Sequence, residues 1–166
     1  MFNVGDKVVY PMHGAGTIEA VEEKEVLGKN KLYYILNIPG VKMKIMIPKD
    51  NVSNLGIRQV VEAVTLEDVL RTINLGNTDP NIYENPRYCR DLNKKKIKSG
   101  DIYKGTEIIR DLTRKGLRCK LGAEDTNMLN NARQVFISEL MQVKGFAHDQ
   151  AVNLLNEVLE SRLESI

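Results

Sequence analysis

The stretch "ENPRYCRDLNKKKIKSGD", Glu84 to Asp101, places six Lys and Arg residues in eighteen positions. Cations at that density suit one chemistry above others: neutralising the phosphate oxygens of a polyanion, with an affinity that falls steeply as salt rises. Between Arg87 and Lys98 the one acid is Asp91, so ion pairs at i,i+4 spacing leave most of the charge unabsorbed. A solvated outer helix face is the plainer reading of any such run. The imbalance favours a partner, because like charges repel along the helix and phosphates would relieve that repulsion. Segment charges sharpen the point. The chain has a net charge of +2 overall, built from +2 over residues 1–60, −3 over 61–80, +7 over 81–120 and −4 over 121–166.

Catalytic chemistry is thinly represented. His13 lies in "YPMHGAG", a Gly-flanked loop after the first strand, where it reads as structural rather than as a base. His148 falls at a helix start. The "GAG" triplet lacks the spacing of a dinucleotide or P-loop motif and does not open a helix, so it supports no phosphate cradle. Cys89 and Cys119 are the two cysteines and lie far apart; with two histidines and no Cys-x-x-Cys pair, neither a zinc site nor a disulfide framework is expected. No triad, metal site or carboxylate pair assembles, and the expectation is a non-enzyme without cofactor or small-molecule substrate. Apolar residues make up 42% and charged residues 28%, and no run approaches the roughly 18 apolar residues of a membrane span. With no secretory pattern at "MFNVGDKVVYP", the expected location is cytoplasmic, away from membranes.

Two kinds of element must position these residues. Residues 1–60 read as short strands: "DKVVYP", then "GTIEAVEEKEV" ending at Gly28-Lys29-Asn30, then "KLYYILNI". Pro39-Gly40 suits the centre of a type II turn. It leads to "VKMKIMIP", whose alternation sets Met43, Ile45 and Ile47 on a core face and Lys42, Lys44 and Met46 outward. Four or five antiparallel strands imply a small twisted sheet or open barrel with an edge to manage. After Gly56 the period becomes helical. "TLEDVLRTINLG" reads as a short helix with Thr65 as N-cap and Gly76 as stop. "NTDPNIYE" reads as a loop. Asp101 to Lys115, ending at Gly116, and Ala123 to Lys144, ending at Gly145, read as helices. A last helix runs from about Asp149, and together they form a small bundle. The fold class is therefore α+β, with an antiparallel β domain over 1–60 and an all-α domain over 61–166.

Within the basic stretch, Asn85 suits the N-cap and Pro86 the first helical position, and Ser99-Gly100 marks the end. At about 100° per residue, Arg90, Lys94 and Lys98 fall within roughly 60° of Arg87 and form one cationic ridge. Tyr88, Leu92 and Cys89 fall at roughly 100°, 140° and 200°, on the side expected to face the bundle.

Several motifs in order carry a resemblance. At "VGDKVVYPMHGAGTIEAVE" and "KMKIMIP" the sequence is similar to the N-terminal module of the CarD/CdnL family of bacterial transcription regulators. That module also resembles the Tudor-like polymerase-interacting domain of the transcription-repair coupling factor. "IKSGDIYKGTEIIRDLTRKGL" and "MLNNARQVFISEL" are similar to two central helices of the same family's C-terminal domain. The resemblance implies a Tudor-like or SH3-like barrel that binds the RNA polymerase β subunit, and a helical domain that contacts promoter DNA near the upstream edge of the melted bubble and stabilises the open complex. Residue by residue, it implies polymerase contacts at Lys24, Lys42, Lys44 and Met46, where some members carry Arg in place of Met46. It implies DNA contacts at Pro86, Arg87, Arg90, Lys94 and Lys98, and a nucleoid location through polymerase. Members typically carry a wedge Trp after the Asn; here Pro86 follows Asn85, and the chain has no Trp. Pro86 itself, or Tyr83 or Tyr88 as aromatic substitutes, would have to serve. The competing reading is a protein-binding adaptor without direct DNA contact.

Overall fold

A computed structural model describes residues 2–39 and 44–164. Five strands, β1 (Lys7–Tyr10), β2 (Gly14–Val26), β3 (Lys29–Asn37), β4 (Ile45–Pro48) and β5 (Arg58–Gln59), form one sheet in the order β4-β3-β2-β1-β5. Each neighbouring pair is antiparallel. Among the described residues the sheet is open, with β4 and β5 at its edges. Six helices follow: α1 (Ala63–Thr72), α2 (Asn81–Glu84), α3 (Pro86–Lys98), α4 (Ile102–Arg118), α5 (Ala123–Lys144) and α6 (His148–Glu164). The α+β architecture expected from the two hydrophobic periods is the one observed.

Alternation decides what each strand buries. Val8, Ile18, Tyr34, Leu36 and Ile47 join Val52 and Ile57 in a core on one face of the sheet. Val9 and Ala15 pair across β1 and β2 on the opposite face and are also buried, because α5 lies there. Gly14 is a close-approach position: a Cβ would stand 2.7 Å from Ser138 Oγ. That hydroxyl accepts from the Ala15 backbone N–H at 2.8 Å and donates to the Val135 carbonyl at 2.7 Å. The "GAG" triplet thus lets a helix dock on a strand. The helical core is built from Leu66, Val69, Ile108, Ile109, Leu112, Phe136, Leu140 and Leu155, among others.

Several boundaries differ from the sequence reading. The β2–β3 turn is Leu27-Gly28 rather than Gly28-Lys29-Asn30, since Val26 pairs with Lys29; both residues have positive φ, 54° and 76°, as a two-residue type I′ hairpin requires. Gly40 of the Pro39-Gly40 turn and the strand residues Val41, Lys42 and Met43 lie outside the described residues. Helix α1 starts at Ala63 with Glu62 as N-cap, so Thr65 is inside it, and it ends at Thr72 with Ile73 as C-cap rather than at Gly76. The physical reason is tertiary: the Val61 N–H donates to the buried Glu139 carboxylate at 2.9 Å, which fixes the chain just ahead of the helix. "NTDPNIYE" is not all loop, for Asn81–Glu84 forms one helical turn. Asp79 Oδ1 accepts from the Asn81 N–H at 2.9 Å and Ile82 is buried. Gly116 does not stop α4, which runs on to Arg118 with Cys119 as C-cap. Gly116 meets only ordinary van der Waals contact from Leu121, and helical continuity there costs only about 1 kcal/mol relative to Ala.

Candidate nucleic-acid and protein interfaces

Helix α3 forms for the local reasons read from its ends. The Asn85 side chain accepts from the Tyr88 N–H at 3.4 Å, Pro86 opens the helix, and Ser99 caps it. Its C-terminal end is then locked to the sheet unit through backbone contacts. Gly56 and Gly100 both have positive φ, 73° and 72°, and a Cβ on Gly56 would strike the Lys98 carbonyl. Sequence spacing did not single out this crossing.

The face of α3 turned inward comprises Cys89, Leu92, Asn93, Lys96 and Ile97, all at least half-buried. Tyr88 does not pack in the bundle as its helical angle suggested; it is 52% exposed at the first turn of α3. The inward face is centred on Cys89, Asn93 and Lys96, which leaves Tyr88 beyond its margin. Tyr83 takes the packed position instead: it sits against the helical core, with the Arg118 guanidinium 4.1 Å from its ring centroid, a cation–π arrangement. Pro86 is exposed beside Tyr88.

The cationic ridge divides. Arg90 is half-buried and donates to Glu124 Oε2 of α5 at 2.7 Å. The charge that lacked an acid at i,i+4 finds one across the bundle. Lys96 pairs with Glu107 of α4 at 3.0 Å. Arg87, Lys94, Lys95 and Lys98 are exposed and form no ion pair among the described residues. Arg87, Lys94 and Lys98 therefore remain as the open part of the ridge.

On the sheet, the cross-strand row Ala20, Ile35 and Met46 shares a face with Lys24, two strand steps beyond Ala20. Met46 is exposed over the buried Ile35. Lys44 donates to Glu19 at 2.8 Å, and that hydrogen bond raises the lysine's pKa above its ordinary value. Lys24 lies 3.4 Å from Glu22. Both pairs are at the surface, where such contacts contribute little and exchange readily. Among the described residues, the outer edge of β4 has no neighbouring strand in the sheet. Lys42 lies outside the described residues.

What joins the two surfaces is a buried carboxylate that the sequence reading passed over. Glu139 of α5 is 1% exposed. Arg58 of β5 grips it with Nη1 and Nη2, each at 2.7 Å, while Arg58 Nε donates to the Gly100 carbonyl in the α3–α4 turn. One arginine thus ties the sheet edge, the end of α3 and the middle of α5. A recognisable signal existed in a Glu on the apolar stripe of α5, but its partner, 81 residues away, could not be named from spacing. No cluster of three or more His, Cys, Asp or Glu able to hold a metal occurs among the described residues. His13 is exposed, with its ring edge-on to Tyr10 at 4.9 Å.

An open sheet tied through Arg58 and Glu139 to a helical bundle that carries exposed cations at Arg87, Lys94 and Lys98 defines a small two-part protein of the α+β class. Comparison with known proteins supplies the family. Residues 2–61 match the model described as CarD-like/TRCF RID domain, and residues 68–156 match that described as CarD, C-terminal domain. A Bacillus subtilis protein named "Putative transcription factor YdeB" is 39% identical over 150 residues, covering 90% of this chain and 97% of its own. The chain belongs to the CarD family of transcription regulators.

Proposed function

We propose that this chain binds the β subunit of RNA polymerase through residues 1–60 and promoter DNA through α3, and so modulates the lifetime of the open complex. The family match over residues 2–61 supports the polymerase contact. The outward row ending at Met46, with Lys24, Lys42 and Lys44, is its proposed surface, and the bare edge of β4 suits strand addition. The observation that carries the DNA contact is the run of unpaired cations at Arg87, Lys94 and Lys98 on one exposed face. Arg90 contributes only by giving up Glu124. Phosphate contacts of this kind position the protein without reading sequence. Pro86 and the exposed Tyr88 are the proposed apolar wedge at the bubble edge, favoured over Tyr83, whose ring packs against the helical core beside Arg118.

Charge reversal of Arg87, Lys94 and Lys98 to Glu tests the reading. On a promoter fork the slope of log K against log salt should flatten by about 3, near 0.9 per lost phosphate contact, and open complexes should decay faster. Arg90→Glu should flatten it by less. An unchanged slope removes DNA from this face and leaves an adaptor held by polymerase alone. Failure of the full chain to bind isolated β subunit, or of Met46→Glu to weaken that binding, overturns the polymerase contact.

A further inference from the structure

Between α3, α5 and the Tyr10–His13 turn lies an open groove of about 450 Å³, within the roughly 300–1,000 Å³ range of small-ligand sites. Met12 from the turn, Ile97 from α3 and Met128 from α5 form its apolar part, and the paired Arg90 and Glu124 line it beside them. Lys94 and Lys98 stand at its rim, and the exposed Asn127 contributes an amide to its lining. We propose that this groove receives one unpaired nucleotide, the base against Met12, Ile97 and Met128 and its phosphate on Lys94 and Lys98. The inference rests on the reading of α3 as a DNA-contacting helix and goes beyond it, because the ridge alone needs only a duplex backbone.

The chemistry separates the two cases. A paired duplex offers phosphates and sugars to a protein surface and keeps its base faces stacked, so an apolar wall gains little from it. A base taken out of the stack presents a flat apolar face to such walls and a hydrogen-bonding edge to an amide. Charge places the phosphate at one end. Glu124 on the α5 wall, held by Arg90 at 2.7 Å, disfavours an anion there, whereas Lys94 and Lys98 have no ion-pair partner among the described residues. Met12 is held over the groove rather than left at a loose tip. The Asn131 amide donates to the Pro11 carbonyl at 3.4 Å, the His13 N–H donates to the Tyr10 carbonyl at 2.9 Å, and Pro11 is buried while Met12 is 58% exposed. The sheet unit thereby contributes a side chain to the face of the helical unit.

The test uses the full chain with two DNA probes of equal length, a fully paired duplex and a fork with a short unpaired arm carrying 2-aminopurine. The wild type should prefer the fork and change the probe's fluorescence. Met12→Ala should reduce the fork affinity by about five-fold, roughly half the value of one well-buried methionine, and leave duplex affinity and salt slope as they were; Met12→Leu should restore the preference. Because Met12 is largely exposed, neither change threatens the fold. Equal wild-type binding to fork and duplex, or a Met12→Ala variant that keeps the fork preference, overturns the nucleotide site while leaving the ridge intact. Binding to neither probe overturns the site and the DNA contact together.

Discussion

Replacing Arg58 with methionine keeps most of the side chain's apolar volume but withdraws every donor it gives to Glu139 and Gly100. Glu139 then retains the Val61 N–H at 2.9 Å and loses two charge-assisted bonds of 2.7 Å each. Removing one partner of a buried ion pair costs about 3–5 kcal/mol, because the remaining charge is left uncompensated. Arg58 keeps about a quarter of its side chain exposed, so water reaches the site from one side and the lower end, about 3 kcal/mol, is expected. Arg58→Met combined with Glu139→Leu removes the stranded charge and leaves chiefly the Val61 N–H without an acceptor, at about 1–3 kcal/mol. The double variant should therefore be no less stable than Arg58→Met alone, a strongly non-additive cycle. Urea denaturation reads this as a shift in midpoint at constant slope. A single-variant cost under about 1 kcal/mol, or additive losses in the double, would refute the assignment of Arg58 and Glu139 as the joint between sheet and bundle.

Gly56→Ala should lower stability more than Gly28→Ala, by thermal midpoint. Both sites have positive φ, for which a non-glycine residue costs about 1–3 kcal/mol, but only at Gly56 does the new Cβ also meet the Lys98 carbonyl, while at Gly28 nothing lies within 4 Å. A thiol reagent at neutral pH should modify exposed Cys119 before half-buried Cys89, whose thiol is pushed above its ordinary pKa chiefly by burial; peptide mapping after brief labelling checks the order. Asp68 accepts hydrogen bonds from Tyr103 at 2.8 Å and Arg71 at 2.5 Å, which lower its pKa, the tyrosine contributing most. Its contribution is thus present above the ordinary carboxylate range and lost only as pH falls through the lowered value. Tyr103→Phe should move the Asp68 titration upward in an NMR pH series, and an unmoved titration would show that the hydroxyl does not hold the carboxylate.

The regular elements were legible because their causes are local. Alternation in "VVY" and "IMIP", the 3.6-residue spacing of Phe136 and Leu140, and the Asn85-Pro86 start of α3 each act within one or two turns of chain. Where a long-range contact competes, the local reading slipped. Helix α1 begins at Ala63 because Glu139 holds Val61, and Asn81–Glu84 is helical because Ile82 is drawn into the core. The candidate site divides the same way. One-dimensional spacing put Arg87, Lys94 and Lys98 on a common face, and they are exposed together. It could not see Glu124 reaching Arg90, Arg118 covering Tyr83, or Tyr88 left in solvent, because each depends on what another helix supplies or on which face of α3 the bundle covers.

By itself, then, the sequence determined the two hydrophobic periods, the α+β class, the capped basic helix and the family motifs, all of which are properties of neighbouring residues. Tertiary structure alone decided which of the ridge's cations remain open, which tyrosine faces outward, how Met12 comes to line one groove with Lys98, and that Arg58 and Glu139 bind sheet to bundle. Those outcomes turn on pairings between residues far apart in the chain, and the charge or size of one partner places no constraint on its neighbours that a reader of the sequence could detect.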